Sequence, residues 1–264
     1  MAGTSMLKKI LPLLLLITLV VISLPAFYAG NRDLNYGQNI LRLLGEFFPP
    51  DFSVWRSVLS GLFETLQMSV IATLIATFVA LPLAVASSKK FSPLGLQGAV
   101  VVFLSITRAI PSLIWALIAV SIVGPYPLAG VIALVFYSLG YLGKFFADAI
   151  DSQNLEVVFY YRRMGAGPWQ AFQYGLWPQL KKLLFRHVLW MLEYNIRSAS
   201  VIGYVGAGGL GTYLHIYQEY GRWDRFSFVI LLIFIIAIGF ELVNRWPHAQ
   251  KNLIQTSLLE ADDE

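Results

Sequence analysis

The stretch TLQMSVIATLIATFVALPLAVASS, Thr65 to Ser88, contains no charged residue. A helix needs about 20 apolar residues to cross a bilayer's hydrocarbon core, so this one run is long enough to span. Two more uncharged runs flank it, Ile10 to Ala29 and Ala109 to Gly143. The 264 residues are 57% hydrophobic and 13% charged, with a mean hydropathy of +0.66. A soluble domain of this length needs more charge to cover its surface. The chain has no cysteine, which excludes a disulfide framework and a thiolate metal site. Its histidines, His187, His215 and His248, show no metal-ligand spacing. No Ser–His–Asp set, no paired carboxylates within one span and no G-x-x-x-x-G-K-[ST] run can be assembled, so the chain offers neither a catalytic group nor a P-loop of its own.

The hydropathy pattern predicts six spans, at 8–29, 60–87, 95–123, 128–150, 180–205 and 226–245. The first follows Lys8 and Lys9 and reads as an uncleaved anchor, with a signal peptide as the alternative; Phe27 and Tyr28 before Ala29 fit a cleavage site poorly. With the N-terminus in the cytoplasm, eleven basic residues fall inside, five outside and three within spans. That bias favours both termini being cytoplasmic. The organisation expected is an anchor at 1–30, an outer interfacial segment at 31–59, a five-helix core at 60–246 and a cytoplasmic tail at 247–264, its end (Glu260 to Glu264) acidic and disordered. In the outer segment, Phe47, Phe48, Phe52 and Trp55 are placed at headgroup depth.

Residues 151–179 form the longest cytoplasmic loop. Leu155 to Met164 reads as a helix with Asn154 as N-cap, and Gly165-Ala166-Gly167-Pro168 breaks it. Trp169 to Leu176 reads as a second short helix ended by Pro178. Arg162, Arg163 and a dense set of aromatic side chains mark either a protein-docking surface or a loop lying on lipid headgroups.

Gly206-Ala207-Gly208-Gly209-Leu210-Gly211 satisfies G-x-G-x-x-G, but its flanks are spans rather than a strand and a helix, so a dinucleotide site is rejected. The run reads as a tight outer gate loop at the mouth of a path, with plain helix packing as the alternative. Ionisable residues inside spans each cost about 3 kcal/mol and usually face a bundle interior or a watery path. Arg108, three residues before a kink at Pro111, and Arg197, four residues after Glu193, are therefore candidates to make the path attractive to an anion; a structural Glu193–Arg197 pair is the alternative. Asn195, Ser198 and Ser200 share that stretch, and Lys144 with Asp148 reads as a structural pair.

The loop resembles the cytoplasmic motif of ABC importer permeases. Gly165 and Pro178 stand at that motif's separation, with Tyr174-Gly175-Leu176 between them, although Phe159-Tyr160-Tyr161 replaces its Glu-Ala-Ala triplet. The Asn195-Ile196-Arg197-Ser198-Ala199-Ser200 run, the glycine run, Arg108-Ala109-Ile110-Pro111 and Phe47-Phe48-Pro49-Pro50-Asp51 are similar to phosphonate-type permeases. The resemblance implies an all-α polytopic protein of the bacterial inner membrane with six transmembrane helices and a type I, methionine-permease-like core. It implies that Arg162, Arg163, Met164, Gly165, Ala166, Gly167, Pro168, Trp169, Gly175 and Pro178 couple to a dimer of ATP-binding cassette subunits, which bind the ATP and Mg. A second permease copy, the lipid bilayer and an extracytoplasmic phosphonate- or phosphite-binding protein are the other implied partners, with no nucleic acid. A permease for another small solute such as an amino acid, and a stand-alone secondary transporter or channel, stay open at this point.

Overall fold

The computed structural model describes the backbone of residues 2–28 and 35–262 and the side chains of 11–24 and 35–242. The helices are α1 (Ala2–Tyr28), α2 (Tyr36–Phe47), α3 (Trp55–Ser87), α4 (Leu94–Ala109), α5 (Ser112–Val123), α6 (Pro127–Ser152), α7 (Glu156–Arg163), α8 (Pro168–Ala171), α9 (Trp177–Ile202), α10 (Leu210–Glu219) and α11 (Trp223–Asp262). No strand occurs among the described residues. The chain is an all-helical polytopic membrane protein, with helix at each of the six expected spans. Phe52–Ser87, Pro127–Ser152 and Trp223–Leu242 are each long and apolar enough to cross a bilayer alone, and α4 with α5 would make a fourth crossing. Ala29, the side chains of Phe27 and Tyr28, and the last two acids lie outside what is described. The helix α11 continues to Asp262, so the backbone from Glu260 to Asp262 is helical where disorder was expected.

Contacts divide the chain into Met1–Glu46 and Phe47–Glu264. Within the first unit, Leu11 to Leu24 of α1 is an apolar stretch. The helix α2 is amphipathic: Tyr36, Ile40, Leu43 and Leu44 recur at helical spacing opposite Gln38, Asn39, Arg42 and Glu46.

The second unit is built around α3 and α6. The face that α3 buries is almost entirely small: Gly61, Thr65, Ser69, Ala72, Thr73, Ala76, Ala80 and Ala84 recur every three or four residues. Lipid tails are as apolar as leucine, so helices in a bilayer gain little from burying bulk against each other. Close backbone approach and the dispersion it brings take over, and small residues permit it. The face of α6 answers in kind with Ala129, Gly130 and Ala133. Gly140 and Gly143 of α6 turn to α4 instead: a Cβ added at Gly140 would lie 3.0 Å from the carbonyl oxygen of Leu104, so α4 also sits nearly backbone to backbone on α6.

Polar groups then lock the register. Asn195 of α9 is completely buried. Its amide donates to Thr73 Oγ1 of α3 (2.9 Å) and to Ser138 Oγ of α6 (2.8 Å), and its carbonyl accepts from Ser138 (3.0 Å). One side chain thereby joins three helices.

The third expected span is a correction. Residues 95–123 do not form one kinked helix; α4 and α5 meet at 88°. Proline removes a backbone N–H and forces its predecessor out of the helical region, and Ile110 is accordingly extended (φ −87°, ψ 120°). Thr107 O, freed by the break, accepts from Trp115 Nε1 at 3.2 Å, and Trp115 stacks on Phe136 with centroids 4.7 Å apart.

Replacing Ala76 (0% exposed) with leucine is expected to cost about 1–3 kcal/mol by forcing α3 off α6. Thermal denaturation of the purified protein in detergent checks this; an unchanged midpoint would mean that the close approach is not limiting.

Candidate functional site

The loop after α6 is a compact hairpin. Asn154 Oδ1 accepts from Glu156 N (2.9 Å), starting α7 one residue later than the sequence reading. At the far end Gly165 takes φ +88°, a conformation that glycine adopts without a steric cost, and Pro168 opens α8. Between α8 and α9 the chain widens into a π-helical turn, Phe172–Leu176. Here the sequence reading of Pro178 is corrected: it does not end a short helix but sits in the first turn of α9, where its missing N–H costs nothing.

This hairpin is tied to the core. A Cβ at Gly175 would meet the backbone of Val158 at 3.2 Å, so α7 lies directly across the π-turn. Leu176 is buried in the cluster that contains Phe146, Leu180 and Leu184, with Leu155, Val158 and Phe172 packed against it. The opposite side is open. Met164 is 67% exposed and Trp169 70%, and Phe159, Tyr160 and Tyr174 are exposed beside them. Two hollows mark this surface, one of about 470 Å³ along Glu156, Val157, Tyr160 and Arg163, the other of about 290 Å³ between Trp169, Phe172 and Trp177. Arg162 and Arg163 are also exposed.

From the π-turn α9 runs for 26 residues, about 39 Å. It ends in a kink at Gly203–Ala207, where Val205 (φ −94°, ψ 19°) and Gly206 (φ 93°, ψ 11°) leave the helical region. The glycine corner follows: Gly206, Gly208 and Gly209 all take positive φ. Gly211 does not belong to the irregular backbone but lies in α10, where its bare Cα packs on the carbonyl of Ser200. The corner is held from α3, by residues the sequence reading passed over. Glu64 accepts from Gly209 N and Thr65 Oγ1 from Leu210 N, both at 2.9 Å, which caps the N-terminus of α10. A clue to Glu64 lies in the sequence itself: it is the lone acid at the edge of the long uncharged run.

The expected ion pairs form. Arg197 Nη1 lies 3.2 Å from Glu193 Oε1, with the arginine side chain half exposed and the glutamate mostly covered. Lys144 Nζ lies 2.7 Å from Asp148. Arg197 and Ser200 line a small cavity shared with α10 and α11, whereas Arg108 lines a different one between α4 and α6. The two arginines therefore do not converge within this chain. Asn195 is occupied in the three-helix bridge, Ser200 bonds weakly back to Ile196 O (3.4 Å), Ser198 is buried, and Pro111 is exposed at the α4–α5 break.

On the side of the glycine corner a second cluster joins the start of α3 to the start of α11. Asp51 N donates to Asp224 O (3.0 Å), and Arg225 Nε donates to Asp51 Oδ2 (3.0 Å). Phe47 stacks on Trp223 at 5.9 Å, while Phe48, Phe52 and Trp55 are exposed. Hydrogen bonds from Ser53, then Arg225, hold the Asp51 carboxyl well below its usual value, at about 2.

Comparison with known proteins agrees with this geometry. Residues 76–246 match the binding-protein-dependent transport system inner membrane component family, and the chain belongs to that family. It is 36% identical over 218 residues to the phosphite transport system permease protein PtxC of Stutzerimonas stutzeri, covering 81% of this chain and 79% of that one. It is 28% identical over 200 residues to the phosphate-import permease protein PhnE of Mycolicibacterium smegmatis, covering 75% of this chain and 38% of that one. Among solved structures, an inward-facing form of the MetNI methionine ABC transporter superposes with a TM-score of 0.62 at 21% identity, covering 74% of this chain and 98% of that one. The core therefore has the type I importer permease fold, and the chain is the membrane component of such an importer.

Two outcomes follow from these contacts. Glu64→Ala is expected to lower stability by about 1–3 kcal/mol by stripping the acceptor from Gly209 N, with Glu64→Gln costing less, both read by thermal denaturation. Because the Asp51 carboxyl is held at about 2, its contribution is complete above its ordinary value of about 4 and is lost as pH falls through about 2. Thermal stability measured across that window is expected to fall more steeply for the wild type than for Asp51→Asn.

Proposed function

We propose that this chain carries a small phosphorus oxyanion, a phosphonate, phosphite or phosphate, across the inner membrane as one half of a homodimer. A dimer of ATP-binding subunits sits on the hairpin at 151–179, and those subunits bind the ATP and Mg. A solute-binding protein delivers cargo on the other side. Both termini are cytoplasmic, with 1–30 as anchor, 31–59 as outer interfacial segment, 60–246 as core and 247–264 as tail. The observation that carries the docking is the hairpin itself: one side fastened to the core at Gly175 and Leu176, the other presenting Met164, Trp169 and Tyr174 uncovered. An exposed aromatic surface on a rigid mount is a protein-contact surface.

The oxyanion follows from the roles of the two relatives and from the half-exposed Arg197. Guanidinium offers paired N–H donors to tetrahedral oxyanions, and Glu193 beside it limits how tightly an anion is held. Transport then proceeds by alternating access. ATP binding favours the closed state of the ATPase dimer, and the hairpins move with it. Each α9 transmits that displacement from its inner π-turn to the glycine corner. The bias between inward- and outward-open states comes from the difference in ATP affinity between them.

The test is co-purification. Tagged wild-type permease, expressed with its ATPase subunit, is expected to bring that subunit down in stoichiometric amount. The pair Met164→Ala and Trp169→Ala is expected to reduce recovery at least tenfold, since truncating a buried interface anchor typically costs about 2 kcal/mol or more. An assembly that transports without any ATPase would overturn the reading.

A further inference from the structure

A cavity of about 440 Å³ opens between α4 and α6 beneath the Ser87–Lys89 turn. Its charged walls are Lys89, Arg108, Lys144, Asp148 and Asp151, and Gln97, Ser87 and Ser105 with an apolar side at Val101, Leu104 and Ala147 complete it. The charges sum to three cations against two carboxylates, one net positive. The carboxylates are already engaged: Asp148 pairs with Lys144 at 2.7 Å, and Asp151 accepts from Ser88 Oγ and from Lys89 N.

Arg108 is different. Among the described residues it has no ion pair and no hydrogen bond, and its Nε is shielded from solvent without an acceptor. Its only charge-related contact is the Tyr141 ring, 5.7 Å from Cζ. The side chain is held there by design of the backbone: it lies along the bare Cα of Gly140, where a Cβ would sit 2.6 Å from Arg108 Cγ. A cation at membrane depth costs about 3 kcal/mol even when it reaches water or a partner, so one kept in place without an acceptor is poised for a ligand.

We infer that the α4–α6 cavity binds a monoanionic phosphoryl group. One net positive charge matches one negative charge. The guanidinium fork of Arg108 supplies paired donors for two oxygens of a tetrahedral group, and Lys89 supplies a second cation at the rim. The apolar wall at Val101 and Leu104 accommodates the carbon chain of an ester. Two sources carry this chemistry: the phosphodiester of a membrane lipid, and a free phosphorus oxyanion in its monoanionic form. The cavity shares no lining residue with the one beside Arg197. This site is therefore distinct from the Arg197 cavity, and the inference does not depend on which solute is carried.

The purified full-length permease, in a micelle of phosphorus-free maltoside detergent, is titrated separately with phosphatidylglycerol and with inorganic phosphite. Binding is read by native mass spectrometry for the lipid and by phosphorus NMR line broadening for the ion. Removing a charged hydrogen-bond donor is expected to weaken binding roughly tenfold or more in Arg108→Met. Lipid binding with that loss identifies the headgroup as the source; phosphite binding with that loss identifies the free oxyanion. If neither probe binds the wild type, or if Arg108→Met binds as the wild type does, the site is refuted. Should Arg108→Met fail to fold, Lys89→Met at the exposed rim takes its place; a severalfold weakening supports the site and wild-type binding refutes it. Neither readout involves uptake or ATPase recovery, so a failed transport assignment leaves this result standing.

Discussion

The near contact of the α3 and α6 backbones is the constraint on which the remaining structure rests. In hydrocarbon there is no solvent to drive side chains together, so the two helices are held by what their small faces allow: close packing and a few buried hydrogen bonds. The repeating Ser, Thr and Ala positions of α3 admit α6 along most of its length. Only at that separation does a single amide, Asn195, reach both Thr73 and Ser138. Moving α3 outward by the width of a few methyl groups would undo the bridge and release α9.

The proposed mechanism depends on α9 being so fixed. It is a single rod between the π-turn and the glycine corner, and each end is fastened by a glycine that has no room for a side chain. At one end Gly175 lets α7 lie against the backbone; at the other Gly203 and Gly211 bring α9 and α10 together. Glu64 and Thr65 then join that far corner to α3. In the proposed mechanism a push on the hairpin is delivered to the glycine corner rather than dissipated in a soft loop, and the exposed aromatics and arginines of the hairpin are the surface that receives it.

The membrane helices are legible in the sequence because uncharged runs of that length have no other use, and the i,i+4 spacing of Glu193 with Arg197 and of Lys144 with Asp148 is enough to anticipate both pairs. Proline is harder to read. At Pro111 a kink is foreseeable but not an 88° turn, which depends on Trp115 finding Thr107 O and a stacking partner in Phe136. At Pro178 the same residue type that suggests a stop instead begins a helix, because a π-turn carries the chain into it. The role of Glu64 is not legible in the sequence because its partner is a backbone amide 145 residues away. The separation of Arg108 from Arg197 is likewise tertiary: nothing in their local sequence says that one faces α6 and the other α10 and α11.

The absence of cysteine makes the central claim open to a direct measurement. Met164→Cys places a single thiol at the exposed tip of the hairpin, ready for a membrane-impermeant maleimide. Docking of the ATPase predicts labelling in inside-out vesicles, none in intact cells, and protection once the purified ATPase subunit is added. Labelling from the outer face, or labelling that the ATPase leaves unchanged, would contradict the account.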